Sequence, residues 1–208
     1  MAQPFDRDCK APAPGELDLE LEEFWVDDPW QIQQSNNLSS FEKNRIYLNH
    51  QGSEFMEISH LTAADSDGDG RSVVAADFRN NGHLDLVVRQ VGGGPLLLYE
   101  NNFQSGHYLT ISLRGRTSNR LGIGSRLIAT IANHKVVREL YPLNSFRSQM
   151  TNQVHFGLGK EEVITELEIK WPSGENQIFK NIQADRHIIL TEGNARIETI
   201  QPGSIYRP

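Results

Sequence analysis

Beyond residue 40 the chain repeats one pattern. Apolar and polar residues alternate in short runs, and glycine, asparagine or proline breaks each run every 8 to 12 residues. Alternation with period two sends successive side chains to opposite faces, so such a run buries one face only as a β-strand. The pattern predicts strands over 45–49, 54–58, 72–78, 84–90 and 95–100, then a second series over 107–114, 124–132, 134–140, 153–157, 164–171, 175–179 and 186–191. Short strands at this spacing argue for a sandwich, barrel or propeller piece rather than alternating strand–helix units. Two stretches carry a helical option, 16–24 and 159–163, and the first also alternates with period two.

Turns divide the chain. Asn80-Asn81-Gly82, the Gly92–Pro95 run and Pro172-Ser173-Gly174 fall between strands, where glycine supplies the positive φ of a tight turn. A break at 103–106 separates the two strand series, so the folded part reads as 41–102 and 107–193, with an arm over 1–40 and a tail over 194–208 that adds a short edge strand. The 208 residues suffice for one large domain or two small ones. No apolar run reaches the ~20 residues of a membrane helix, and Met1 is not followed by a basic and then apolar stretch, so neither a span nor a signal peptide is expected. The single cysteine, Cys9, excludes an internal disulfide framework and a CxxC zinc site. Residues 1–30 hold nine acids against Arg7 and Lys10, while residues 31–208 balance at 18 acids and 18 bases. A neutral body with an acidic arm offers no broad field for nucleic acid. Trp25 and Trp30 in that arm suggest that it docks back, as a supplementary strand.

Two families are resembled. Phe41–Ser59 (FEKNRIYLNHQGSEFMEIS) and the stretch from Gly68 (GDGRSVVAADFRNNGHLDLVVRQVGGGPLLLYENN) look like the strand pair and acidic loop of the FG-GAP/VCBS repeat. Ser118–Ser125 (SNRLGIGS), Arg138-Glu139, Ser148-Gln149, His155–Gly159 (HFGLG) and Trp171–Gly174 (WPSG) resemble the ASPIC/UnbV domain in five ordered places. That order is similar to the organisation of cartilage-acidic-protein-like chains. The expected fold is all-β, with one FG-GAP/VCBS blade-like antiparallel sheet over 41–102 packed on a sandwich-like ASPIC/UnbV module over 107–193, and the resemblance implies that a complete relative has a multi-blade propeller before that module. A propeller needs several blades because neighbours cover each blade's faces. The chain is therefore expected to be the C-terminal part of a longer protein or to pack its sheet internally. Association through an exposed sheet edge is the remaining option.

The acidic loops carry the metal expectation. Asp65, Asp67 and Asp69 before Gly70 give carboxylates at alternate positions of a loop with glycine at the sixth, the spacing that converges oxygen ligands on a calcium ion. Val73 and Ala76 stand where the next ligand belongs, so Asp77 or backbone carbonyls must complete the set. In the second loop Asp77, Asn81 and Asp85 match ligand positions, but Arg79 holds the third; its guanidinium repels a divalent cation and is placed to bridge Asp77 and Asp85. Both loops also read simply as turns closed by side-chain to backbone hydrogen bonds.

Catalytic constellations are absent from the sequence. Seven histidines are scattered without HxxxH or HExxH spacing, no GxSxG occurs, and Gly122-Ile123-Gly124 precedes a strand instead of a helix. The polar loop after Pro142 (Asn144, Ser145, Arg147, Ser148, Gln149), with Arg120 and His155, is the candidate binding cluster: Arg120, Arg147, Gln149 and His155. The reading is a non-catalytic extracellular or cell-surface module that binds a protein or carbohydrate partner, with calcium as its candidate cofactor. The compartment follows from the resemblance alone. The alternative is a biosynthetic enzyme or accessory of the UnbV type, which requires those four residues to share a concave pocket.

Overall fold

The computed structural model describes residues 3–4, 36–37, 43–50, 52–66, 68, 70–90, 96–103, 106–146 and 148–200. Among them the chain is all-β, with one 3-10 turn at Ser59–Leu61. The helical option at 16–24 and both arm tryptophans lie outside the described residues. The option at 159–163 is corrected: Gly159 has φ 63, the backbone turns there, and Val163 already begins a strand.

Packing divides the chain into two units, residues 1–73 with 87–99 and residues 74–86 with 100–208. The first seven strands are β1 (Gln3–Pro4), β2 (Asn36–Asn37), β3 (Tyr47–His50), β4 (Glu54–Glu57), β5 (Gly70–Ala76), β6 (Asp85–Gln90) and β7 (Leu97–Tyr99). β3 and β4 form an antiparallel hairpin, and β5, β6 and β7 form a three-stranded sheet in that order. In the hairpin Leu48 stands opposite Met56, and both are exposed, as are Tyr47 and Phe55.

The second unit adds β8 (His107–Arg114), β9 (Arg126–Ile131), β10 (His134–Glu139), β11 (Leu143–Asn144), β12 (Ser148–Gln149), β13 (Gln153–Gly159), β14 (Val163–Lys170), β15 (Asn176–Gln183), β16 (Arg186–Thr191) and β17 (Ile197–Ile200). β17 is the expected edge strand. β11 and β12 make a small hairpin within the polar stretch after Pro142, which sequence alone reads as a loop. Two four-stranded sheets result, ordered β10-β9-β14-β15 and β13-β8-β16-β17. All their pairings are antiparallel except β16 with β8, which is parallel.

Alternation builds the core. Leu109, Ile111 and Leu113 of β8, Val154, Phe156 and Leu158 of β13, and Ile188 and Leu190 of β16 are buried with Leu127, Ala129 and Ile131 of β9 and Ile164, Leu167 and Ile169 of β14. Each aliphatic truncation here costs about 2–5 kcal/mol through lost transfer energy and the cavity left. Period two slips once: Ile164 is followed inward by Leu167, and on the neighbouring strand Phe179 by Ile182. The register between β14 and β15 passes from Ile164–Ile182 to Glu166–Lys180, skipping Thr165 and Asn181, and Asn181 has φ 55. This paired irregularity carries β15 to Gln183, beyond the 175–179 expected from alternation.

Candidate functional site

The first acidic loop is described in part. Asp65 accepts a hydrogen bond from Lys43 Nζ at 2.7 Å, which holds its carboxyl below the ordinary value. Asp67 and Asp69 lie outside the described residues.

The second loop is fully described and closes on itself. Asp77 accepts from the backbone N–H groups of Asn81 (3.0 Å) and Gly82 (2.7 Å), and the Asn81 side-chain oxygen accepts from the His83 N–H at 3.0 Å. Asp85, 1% exposed, accepts from Arg79 Nη2 and from the Asn101 N–H, both at 2.8 Å. The same Arg79 nitrogen donates to the Asn101 carbonyl at 2.8 Å. Burial alone would raise the Asp85 pKa, but these donors bring it below the ordinary value. Arg79 therefore bridges Asp85 and the Asn101 backbone, not Asp85 and Asp77. A fixed positive charge at the third loop position, with every loop carboxylate supplied by N–H donors, does not fit a divalent cation. Among the described residues no group of three or more His, Cys, Asp or Glu is placed to hold a metal.

Past this loop lies a groove of about 450 Å³, formed entirely by the second unit. Tyr108 and Thr110 on the solvent-side face of β8 contribute to it, as do Gln153 of β13 and His187 of β16, while Ala76–Phe78 and Asn80 supply a wall. Gly82 (φ 84) lies so close to the Tyr108 ring that a Cβ there would enter it, which fixes the loop against β8. The Tyr108 ring stacks on His155 at 6.0 Å with an interplanar angle of 13°. Burial lowers the pKa of both His155 and His187, so each is neutral at physiological pH. His187 Nε2 sits 2.8 Å from Ser112 Oγ, but Ser112 is fully buried and does not line the groove, so this pair is structural, not nucleophilic.

The candidate binding residues occupy separate elements: Arg120 lies in the 115–125 loop, Gln149 on the β12 hairpin strand and His155 on β13. Arg147 lies outside the described residues. Of the described three, His155 alone stands beside the groove, through Tyr108.

At the end of β16 is a site that sequence reasoning missed. Glu192, 1% exposed, receives five hydrogen bonds: the N–H groups of Arg116, Thr117 and Ser118 at 2.6–2.8 Å, Ser118 Oγ at 2.8 Å and Ser173 Oγ at 2.6 Å. Burial works to raise its pKa, yet the donors hold it at about 2. Three successive N–H groups form an anion nest, and the protein's own carboxylate fills it. Nearby, Asn119 clamps Ile123 through both its side-chain oxygen (2.9 Å) and nitrogen (2.7 Å), and Gly122 and Gly124 take φ 67 and 94. Trp171, buried, donates from Nε1 to Gln177 at 3.0 Å. These loops match a known pattern.

Residues 115–197 match the family model described as ASPIC and UnbV. The ASPIC/UnbV signatures thus have physical roles here. In SNRLGIGS, Ser118 serves Glu192 and Asn119 with the two glycines sets the loop. In WPSG, Trp171 anchors the core, Ser173 serves Glu192 and Gly174 (φ 92) closes the turn. Among curated relatives, cartilage acidic protein 1 of Mus musculus and of Homo sapiens are each 24% identical over 189 residues, covering 89% of this chain and 27% of the relative. The chain therefore spans about a quarter of the length of the curated relatives it matches. No helix among the described residues is long and apolar enough to cross a membrane.

Proposed function

We propose that the chain is a non-catalytic binding and structural module of an extracellular or cell-surface protein. The observation that carries this reading is the use to which the ASPIC/UnbV signature polar residues are put: Ser118 and Ser173 spend their donors on Glu192, holding loops together instead of facing a substrate. Similarity to cartilage acidic protein 1 supports the compartment. The paired exposed residues Leu48 and Met56, with Tyr47 and Phe55, favour a place in a larger propeller, where a neighbouring blade covers the hairpin. Calcium belongs to this reading at the first loop only, on the spacing of Asp65, Asp67 and Asp69.

The test is interferometry of the folded chain against immobilised extracellular-matrix extract, with calcium or with chelator. Saturable binding that weakens under chelation and in Asp65→Ala is the expected result. Absence of saturable binding overturns the module reading, and binding indifferent to chelation removes calcium from it.

A further inference from the structure

We propose that the groove of the second unit is a binding site for a neutral saccharide, which deepens the binding-module reading and rests on it. A volume of about 450 Å³ falls within the range of small-molecule sites. Its chemistry is that of a hydroxyl-rich ligand. The Gln153 amide offers both donors and an acceptor, and the Thr151 and Thr199 hydroxyls each donate and accept, matching a ligand whose hydroxyls also do both; Thr110 Oγ1, 3.5 Å from His155 Nδ1, keeps its remaining capacity beside them. Asn80, Thr151, Gln153 and Thr199 all line the groove, and their side chains form no hydrogen bond with other described residues.

Two carboxylates add strong acceptors, and both are already oriented. Asp77 is fixed by the Asn81 and Gly82 N–H groups, and Asp185 by His107 Nδ1 at 2.6 Å. Phe78 and Tyr108 contribute apolar ring surface for the C–H faces of a sugar. Asp77 and Asp185 against Arg186 leave the lining net acidic, which repels sulfated or phosphorylated chains and selects an uncharged ligand. The surfaces are rigid: β8 and β16 are interior strands of their sheet, and Arg79–Asp85 together with Gly82 on Tyr108 hold the loop wall. The loop whose spacing suggests an ion has become part of the wall of an organic-ligand site.

The experiment is saturation-transfer NMR on the full chain with glucose, galactose, mannose, N-acetylglucosamine and N-acetylgalactosamine as probes. Amide shift mapping on the wild type accompanies it. At least one sugar is expected to receive saturation, to shift the amides of Thr110, Gln153 and His187, and to lose at least tenfold in affinity in Gln153→Leu and Thr110→Val. Lys135→Ala, on the outer strand β10, is expected to bind as wild type. Transfer to none of the probes, shifts that map elsewhere, or preference for a heparin tetrasaccharide overturns the assignment. Shift mapping decides the matter even where a variant fails to fold. Failure here with matrix retention intact removes the groove assignment alone; loss of matrix retention removes the module reading itself.

Discussion

Ser173 Oγ donates to Glu192 Oε1 at 2.6 Å, tying the turn after β14 to the residue that follows β16. With the three N–H groups of residues 116–118, it makes Glu192 the junction of three chain segments. A carboxyl held at about 2, against an ordinary 4.5, contributes stability that is complete above pH 4.5 and disappears as pH falls toward 2. The difference corresponds to about 3 kcal/mol. Urea unfolding of the wild type should show this loss between pH 5 and pH 2, and Glu192→Gln should be less stable by about 2–4 kcal/mol at pH 7 with a flatter acid limb. Equal acid limbs for the two proteins would contradict the junction.

Arg79 neutralises a carboxylate that is almost fully buried. Arg79→Ala leaves Asp85 with only the backbone donors Asn101 and Phe78 and no compensating charge, at an expected cost of about 3 kcal/mol. Arg79→Lys should recover only part, because its single nitrogen can stand in for Nη2 but leaves unmade the contact of Nη1 with Asn102 Oδ1 at 3.3 Å. Combining Arg79→Ala with Asp85→Asn should cost less than the sum of the single changes, read by denaturant melts in a double-mutant cycle.

His155 and His187 give the molecule a second pH dependence. Their folded-state pKa values lie below 6.5, chiefly through burial. Below pH 6.5 the unfolded chain therefore takes up protons that the folded chain refuses, and stability declines on acidification. His107 acts in the opposite sense. Its pKa is raised by Asp185, so its contribution is complete below pH 6.5 and fades as pH rises through the raised value. His187→Gln should shallow the decline between pH 7.5 and 5.5, and Asp185→Asn should steepen it. Indistinguishable slopes in unfolding titrations would remove this account.

Gly82→Ala is expected to cost about 2–4 kcal/mol, combining a left-handed backbone with a Cβ pressed into the Tyr108 ring. A second change, Tyr108→Ala, should relieve the steric part of that cost. If the double variant melts no higher than the sum of the single losses predicts, the contact is not what constrains this position.

The architecture was legible where chemistry is local. In β8, Leu109, Ile111 and Leu113 turn inward while Thr110 turns outward, as alternation requires, and 107–114 and 186–191 are strands of the expected length. Alternation failed at β15, because Thr165 and Asn181 drop out of register together and no composition signal marks a paired irregularity. Arg79 was readable as an internal cation but not its second partner, since Asn101 is distant in sequence. Glu192 was invisible. Thr-Glu-Gly after a strand reads as an exposed turn, and its donors lie 74–76 residues earlier, or 19 in the case of Ser173.

The parallel pairing within the two four-stranded sheets, β16 alongside β8, joins positions ~77 residues apart. Hairpins elsewhere in the sandwich can zip as soon as they emerge from the ribosome, but this seam waits for almost the whole module to be synthesised. Until β16 arrives, β8 carries an open side beside Leu109, Ile111 and Leu113, the kind of bare ladder on which other nascent chains aggregate. Yield on heterologous expression should accordingly depend on synthesis speed through the last third of the module more than on any residue at its surface.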